Sequence, residues 1–118
     1  VWPFRNLVIR GNDTFLELEI RGGERVEIVD NRFRPTDDEY LPISITDVEQ
    51  PAVITGNNMP ASLIGLTEVG ERNGDPNVVA DNILGQISCQ RGRAIFRNNW
   101  VDRYLLFNWY LKKQNDIQ

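Results

Sequence analysis

Residues 83–100, ILGQISCQRGRAIFRNNW, form the stretch on which the reading of the fold turns. Folded back at Arg91-Gly92 with Gln90 opposite Arg93, it sorts its side chains by polarity. Cys89 then faces Ala94, Ile87 faces Phe96 and Ile83 faces Trp100 on one side, while Gln86, Ser88, Gln90, Arg93 and Arg97 collect on the other with Ile95. Such sorting is what a half-buried antiparallel hairpin requires, because successive strand side chains point to opposite faces. The expectation is strands at 83–90 and 93–99, with Cys89 as a small hydrophobe in the core.

Upstream, Leu16, Leu18 and Ile20 alternate with charged neighbours, and Val26 and Ile28 answer them beyond Gly22-Gly23. A three-residue loop sets Ile20 against Val26 and Leu18 against Ile28, predicting a second hairpin. Its outward side carries Glu17, Glu19, Arg21, Arg25 and Glu27, a solvated face of alternating sign. Further short strands are expected at 7–9, 40–48 with Pro42 near its start, 52–55, and 62–69 with Gly65 as a bulge. GERNGDPN at 70–77 reads as a loop with a tight turn at Asn73-Gly74.

The segment 101–111 is apolar on every side and fits either strand or helix; its aromatic content favours strand. No internal repeat and no low-complexity segment is found. Eight to ten short strands with little helix predict an all-β domain over 1–118, an antiparallel β-sandwich or barrel. The chain opens on Val1 rather than Met, which leaves upstream sequence open, and no basic-then-apolar leader is visible.

Composition narrows the chemistry. The 118 residues carry no histidine and one cysteine, so His-dependent triads, an internal disulfide and a thiolate zinc site are all excluded. No phosphate-cradling glycine motif occurs. Asp37-Asp38-Glu39 lacks the spacing of a calcium loop. The chain therefore reads as non-catalytic, with no cofactor or metal. A net charge of −4 disfavours nucleic acid, and no apolar run is long enough to span a membrane.

Eleven of the thirteen cations are Arg, and Arg91, Arg93, Arg97 and Arg103 fall within a stretch that holds a single acid, Asp102. Forked guanidinium groups on a rigid strand suit carboxylates or phosphates on a partner. In 104–111 seven of eight residues are apolar or aromatic, more than one buried strand face uses. Leu106 and Phe107, on opposite faces of a strand there, are the candidate apolar contacts, with Arg91, Arg93 and Arg97 at the rim. The expected function is a structural or assembly module that binds a protein partner or itself, such as a subunit of a virion or other large particle. The alternative is a β module for a glycan or an anionic group, suggested by Trp2, Trp100, Trp109 and twelve asparagines. A weaker one is an oligonucleotide-binding barrel.

Overall fold

Five times along the chain an apolar residue is followed, after one position, by Gly, Asp or Asn and then by Asn: Ile9 to Asn12, Ile28 to Asn31, Ile54 to Asn57, Val79 to Asn82 and Phe96 to Asn99. The third residue of each, Gly11, Asp30, Gly56, Asp81 and Asn98, has φ between 54° and 69°. Gly, Asp and Asn are the residues that enter this left-handed region at least cost, so the pattern encodes a sharp corner. Each corner turns the chain out of one sheet and towards the next.

A computed structural model describes residues 4–13, 17–33, 40–71, 74–107 and 115–117, with the backbone alone for 102–107 and 115–117. The strands are β1 (Asn6–Arg10), β2 (Leu18–Arg21), β3 (Arg25–Val29), β4 (Leu41–Val48), β5 (Val53–Thr55), β6 (Asn58–Val69), β7 (Asn77–Ala80), β8 (Ile83–Gln90), β9 (Ala94–Phe107) and β10 (Asn115–Ile117). Every pairing is parallel and none joins two hairpin partners. One sheet, called A here, runs β1-β3-β5-β7-β9, and the other, sheet B, runs β2-β4-β6-β8-β9. The long β9 passes through both, and β10 pairs beside its first half. The chain is a β-solenoid, each coil contributing one strand to each sheet.

The core is a set of columns running along the solenoid. Ile9, Ile28, Ile54, Val79 and Phe96 stack in sheet A. Leu18, Ile43, Ile64 and Ile87, and beside them Ile20, Ile45, Leu66 and Cys89, stack in sheet B. All but Ile9 and Leu18 at the first coil are buried. Stacked coils lie about 4.8 Å apart, so each apolar side chain packs on its equivalents above and below.

The asparagines of the corners form a second, polar column. Asn57 Oδ1 accepts from the backbone N–H and the amide of Asn31 at 3.0 and 2.9 Å, and its own amide donates to Ile28 O and Asn82 Oδ1, both at 2.9 Å. Asn82 repeats the set towards Asn99 and Ile54 O. Asn31 repeats it towards Asn12 and Ile9 O. Asn31, Asn57, Asn82 and Asn99 are each no more than 2% exposed. A buried amide is tolerated only when its donors and acceptors are used, and here each links adjacent coils.

A second column of left-handed residues marks the other corner: Gly22, Asp47, Glu68 and Arg91, with φ from 53° to 75°. Asn77 secures this side. It accepts from Ala52 N at 2.7 Å and donates to Val69 O and Arg93 O at 2.9 and 2.8 Å. Gly85 fits where β6 makes a two-residue excursion relative to β8. A Cβ there would lie 2.6 Å from Ser62 O and 2.8 Å from Pro60 O.

The all-β expectation holds, and the antiparallel sandwich or barrel is overturned by the all-parallel sheets. Arg91-Gly92 is a solenoid corner, not a hairpin loop. Ile87 pairs with Leu105 and Cys89 with Phe107, one coil on. Ile83 does pair with Trp100, but in parallel, and both are exposed because the alternation shifts between Leu84 and Gln86. Leu18 and Ile28 belong to different sheets, and the outward ion pairs run along single strands, Arg21 to Glu19 at 2.9 Å and Arg25 to Glu27 at 3.4 Å. Gly65 pairs regularly with Ser44 and Ser88 and forms no bulge. The segment 101–107 is strand, whereas 108–111 and the turn at Asn73 lie outside the described residues.

Replacing Asn57 with Ala should leave the buried Asn31 N–H without its partner and take one of the bonds to Ile28 O, at a cost of about 2–3 kcal/mol. Asn12→Ala, at the exposed end of the same column, should cost under about 1 kcal/mol. Urea denaturation of the two variants checks the contrast, and equal losses would show that the column adds nothing beyond surface polarity.

Candidate functional site

Parallel coils in register place equivalent outward residues side by side, so each outer sheet face can be read as rows. On sheet A the middle row is Val8, Glu27, Val53, Val78 and Ile95. The next row is Arg10, Val29, Thr55, Ala80 and Arg97. The face is therefore β-branched and apolar in its middle, with Val8 43% exposed and Val53, Val78 and Ile95 half-buried. Cations stand at its margins: Arg10 opens the second row, Arg97 is followed in register by Asp116 of β10, and Arg25 and Arg93 precede β3 Val26 and β9 Ala94. Glu27 lies within the middle row, between Val8 and Val53, and is paired with Arg25.

Of the residues proposed from sequence, Arg93 and Arg97 share this outer face with Ile95 between them. Arg93 Nη1 donates to Gly74 O at 2.9 Å, which holds its side chain along the loop preceding β7. Arg91 is separate. It sits in the left-handed corner before sheet A and pairs with Glu68 at 2.8 Å, 71% exposed. The backbone of Leu106 and Phe107 pairs with Ser88 and Cys89 in sheet B. Arg93 and Arg97 thus lie in sheet A, and the backbone of Leu106 and Phe107 in sheet B. The alternation in the sequence is the same for any half-buried strand, and it cannot say which strands become neighbours.

Sheet B differs sharply on its outside. Across β4, β6 and β8 the rows are Pro42, Leu63 and Gln86, then Ser44, Gly65 and Ser88, then Thr46, Thr67 and Gln90. None of the nine is charged, although a quarter of the chain is. A shallow groove of about 240 Å³ opens over Gly65, bounded by Pro42, Leu63, Ser44, Ser88 and Gln86. The sequence carried this signal at the outward positions of three strands, but without the parallel register they could not be brought together.

At the corner between the sheets, Asp47, Glu49, Glu68 and Glu71 line a small acidic indentation of about 80 Å³. Among the described residues no group of three or more acidic or cysteine side chains is arranged to hold a metal ion. Asp37-Asp38-Glu39, Trp2 and Trp109 lie outside the described residues. Trp100 is 59% exposed beside Ile83. No helix among the described residues is long and apolar enough to cross a membrane. Comparison with protein-family models, curated proteins and solved structures gives no match.

Cys89 is 1% exposed, and burial pushes its thiol from 9.0 up to about 11, outweighing the opposite pull of the Asn77 amide. The unfolded thiol therefore ionises first, and stability is unaffected below about pH 9 and falls as pH rises from there through about 11. Replacing Cys89 with Ala should remove that part of the alkaline loss, as measured by denaturant titrations between pH 8 and 11. An identical pH dependence in the two proteins would contradict the buried placement.

Proposed function

We propose that the protein is a non-catalytic assembly module that associates with further copies of itself through the outer face of sheet A. The observation that carries this is the apolar run Val53, Val78 and Ile95, separated from Val8 by the ion-paired Glu27 and with Arg10, Arg25, Arg93 and Arg97 around it, in a chain of net charge −4. Apolar patches rimmed by polar groups are typical of protein–protein contacts, and Arg is favoured in them.

Charge decides the geometry of the contact. Two copies meeting face to face would oppose Arg10, Arg25, Arg93 and Arg97 to themselves. A heterologous contact instead brings this face to an acidic surface of the next copy, such as the corner of Asp47, Glu49, Glu68 and Glu71. Heterologous contacts generate rings or open arrays, consistent with a subunit of a larger particle.

Val78→Glu tests the proposal. Val78 is outward and half-buried, so the exchange should cost only about 1 kcal/mol of stability. Light scattering over a concentration series should show wild-type association that weakens at high salt and is lost in Val78→Glu. A wild-type protein that is monomeric at every concentration, or a variant that associates as well as wild type, would rule the proposal out.

A further inference from the structure

We infer that the groove over Gly65 on the outside of sheet B is a binding site for a neutral glycan. The inference does not depend on self-association, because it uses the opposite sheet. Three features of the groove converge on this ligand.

The first is the absence of charge across β4, β6 and β8; the next residues in these rows, Glu19 beside Ser44 and Arg21 beside Thr46, are ion-paired with each other at 2.9 Å. Anionic polymers, nucleic acid included, need cations to replace their counterions, and none of the residues lining the groove is basic. The second is the pairing of polar with apolar groups. Ser44 and Ser88 flank Gly65 across two strand spacings, about 9.6 Å, and Gln86 lies beside Leu63 in the neighbouring row. The side chains of Ser44, Gln86 and Ser88 make no hydrogen bond with any other described residue. Their hydroxyls and amide are therefore available both to donate and to accept, as sugar hydroxyls do. Pro42 and Leu63 supply an apolar wall suited to the C–H face of a sugar ring.

The third feature is Gly65 itself. Its backbone has no need of glycine: no positive φ is found there, and a Cβ would meet only Ser88 Oγ at 3.5 Å, an ordinary contact. The neighbouring positions of the same outward row carry side chains, as does Thr67 two residues on. A missing side chain in a strand that could carry one leaves the groove open, and glycine weakens a strand interior unless something else approaches the backbone closely. Exposed groups held by a rigid sheet also lose little freedom on binding.

Gly65→Thr should fill the groove without strain. The full chain would be run in affinity electrophoresis through gels containing neutral glucan, mannan, xylan or galactan, with polygalacturonate as the charged counterpart. The expected result is retardation by at least one neutral polysaccharide, weakened tenfold or more in Gly65→Thr. Melting temperature confirms that Gly65→Thr is folded; should it not fold, the outward pair Ser44→Ala and Ser88→Ala in one chain takes its place, with the same loss expected. Retardation by none of the neutral polysaccharides, retardation by polygalacturonate alone, or binding that survives the groove variants would overturn the inference. So would a Gly65→Thr protein whose only change is in its oligomeric state, since the groove would then be a protein contact.

Discussion

The stacking of Asn31, Asn57, Asn82 and Asn99 is the constraint on which the rest of this structure depends. Each side-chain oxygen accepts from the preceding coil, each nitrogen donates to that coil's backbone, and in Asn31, Asn57 and Asn82 the nitrogen also donates to the next asparagine of the column, so the column favours a single register. Slipping one coil by a residue would strand several buried polar groups at once, each costing about 1–3 kcal/mol. It would also turn the apolar columns outward. Apolar stacking alone would tolerate many registers, because Ile, Leu and Val are nearly interchangeable along these columns. The polar column chooses among them.

Much of the burial pattern was legible in the sequence and the neighbour relations were not. The alternation at Val26 and Ile28, at Ile43 and Ile45, and at Ile87 and Cys89 gives the inward side correctly, because it is a property of one strand at a time. Parallel and antiparallel strands alternate identically, so Arg91-Gly92 reads as a hairpin loop when it is a corner. The repeat lacks a fixed period for a physical reason. Successive ladder asparagines are 19, 26, 25 and 17 residues apart, since coils of a solenoid can lengthen at their corners without disturbing the stacked part. What recurs is a local motif, an apolar residue two positions before a left-handed Gly, Asp or Asn that is itself followed by Asn. That motif was present five times.

The same limit explains the candidate sites. Arg93 and Arg97 share a face because they are four residues apart on one strand, which sequence can show. The nine uncharged outward positions of sheet B come from three coils, and only the register assembles them. A solenoid of this kind turns side-chain choices at distant points of the chain into flat two-dimensional arrays. One array here is apolar with cationic margins and the other is neutral and polar, which is the basis for assigning them different kinds of partner.

Amide hydrogen exchange resolved by residue tests the central claim most directly. The backbone N–H groups of Asn31, Asn57 and Asn82 donate to side-chain oxygens at 2.9–3.1 Å rather than to a strand partner's carbonyl. If the column fixes the register, these three amides should be as protected as those of Ile54 and Val79 in the core strands. Truncating Asn57 should then deprotect Asn31 more than any core amide. Exchange of the three at the rate of an exposed loop residue such as Asp75, in the unaltered protein, would contradict the account.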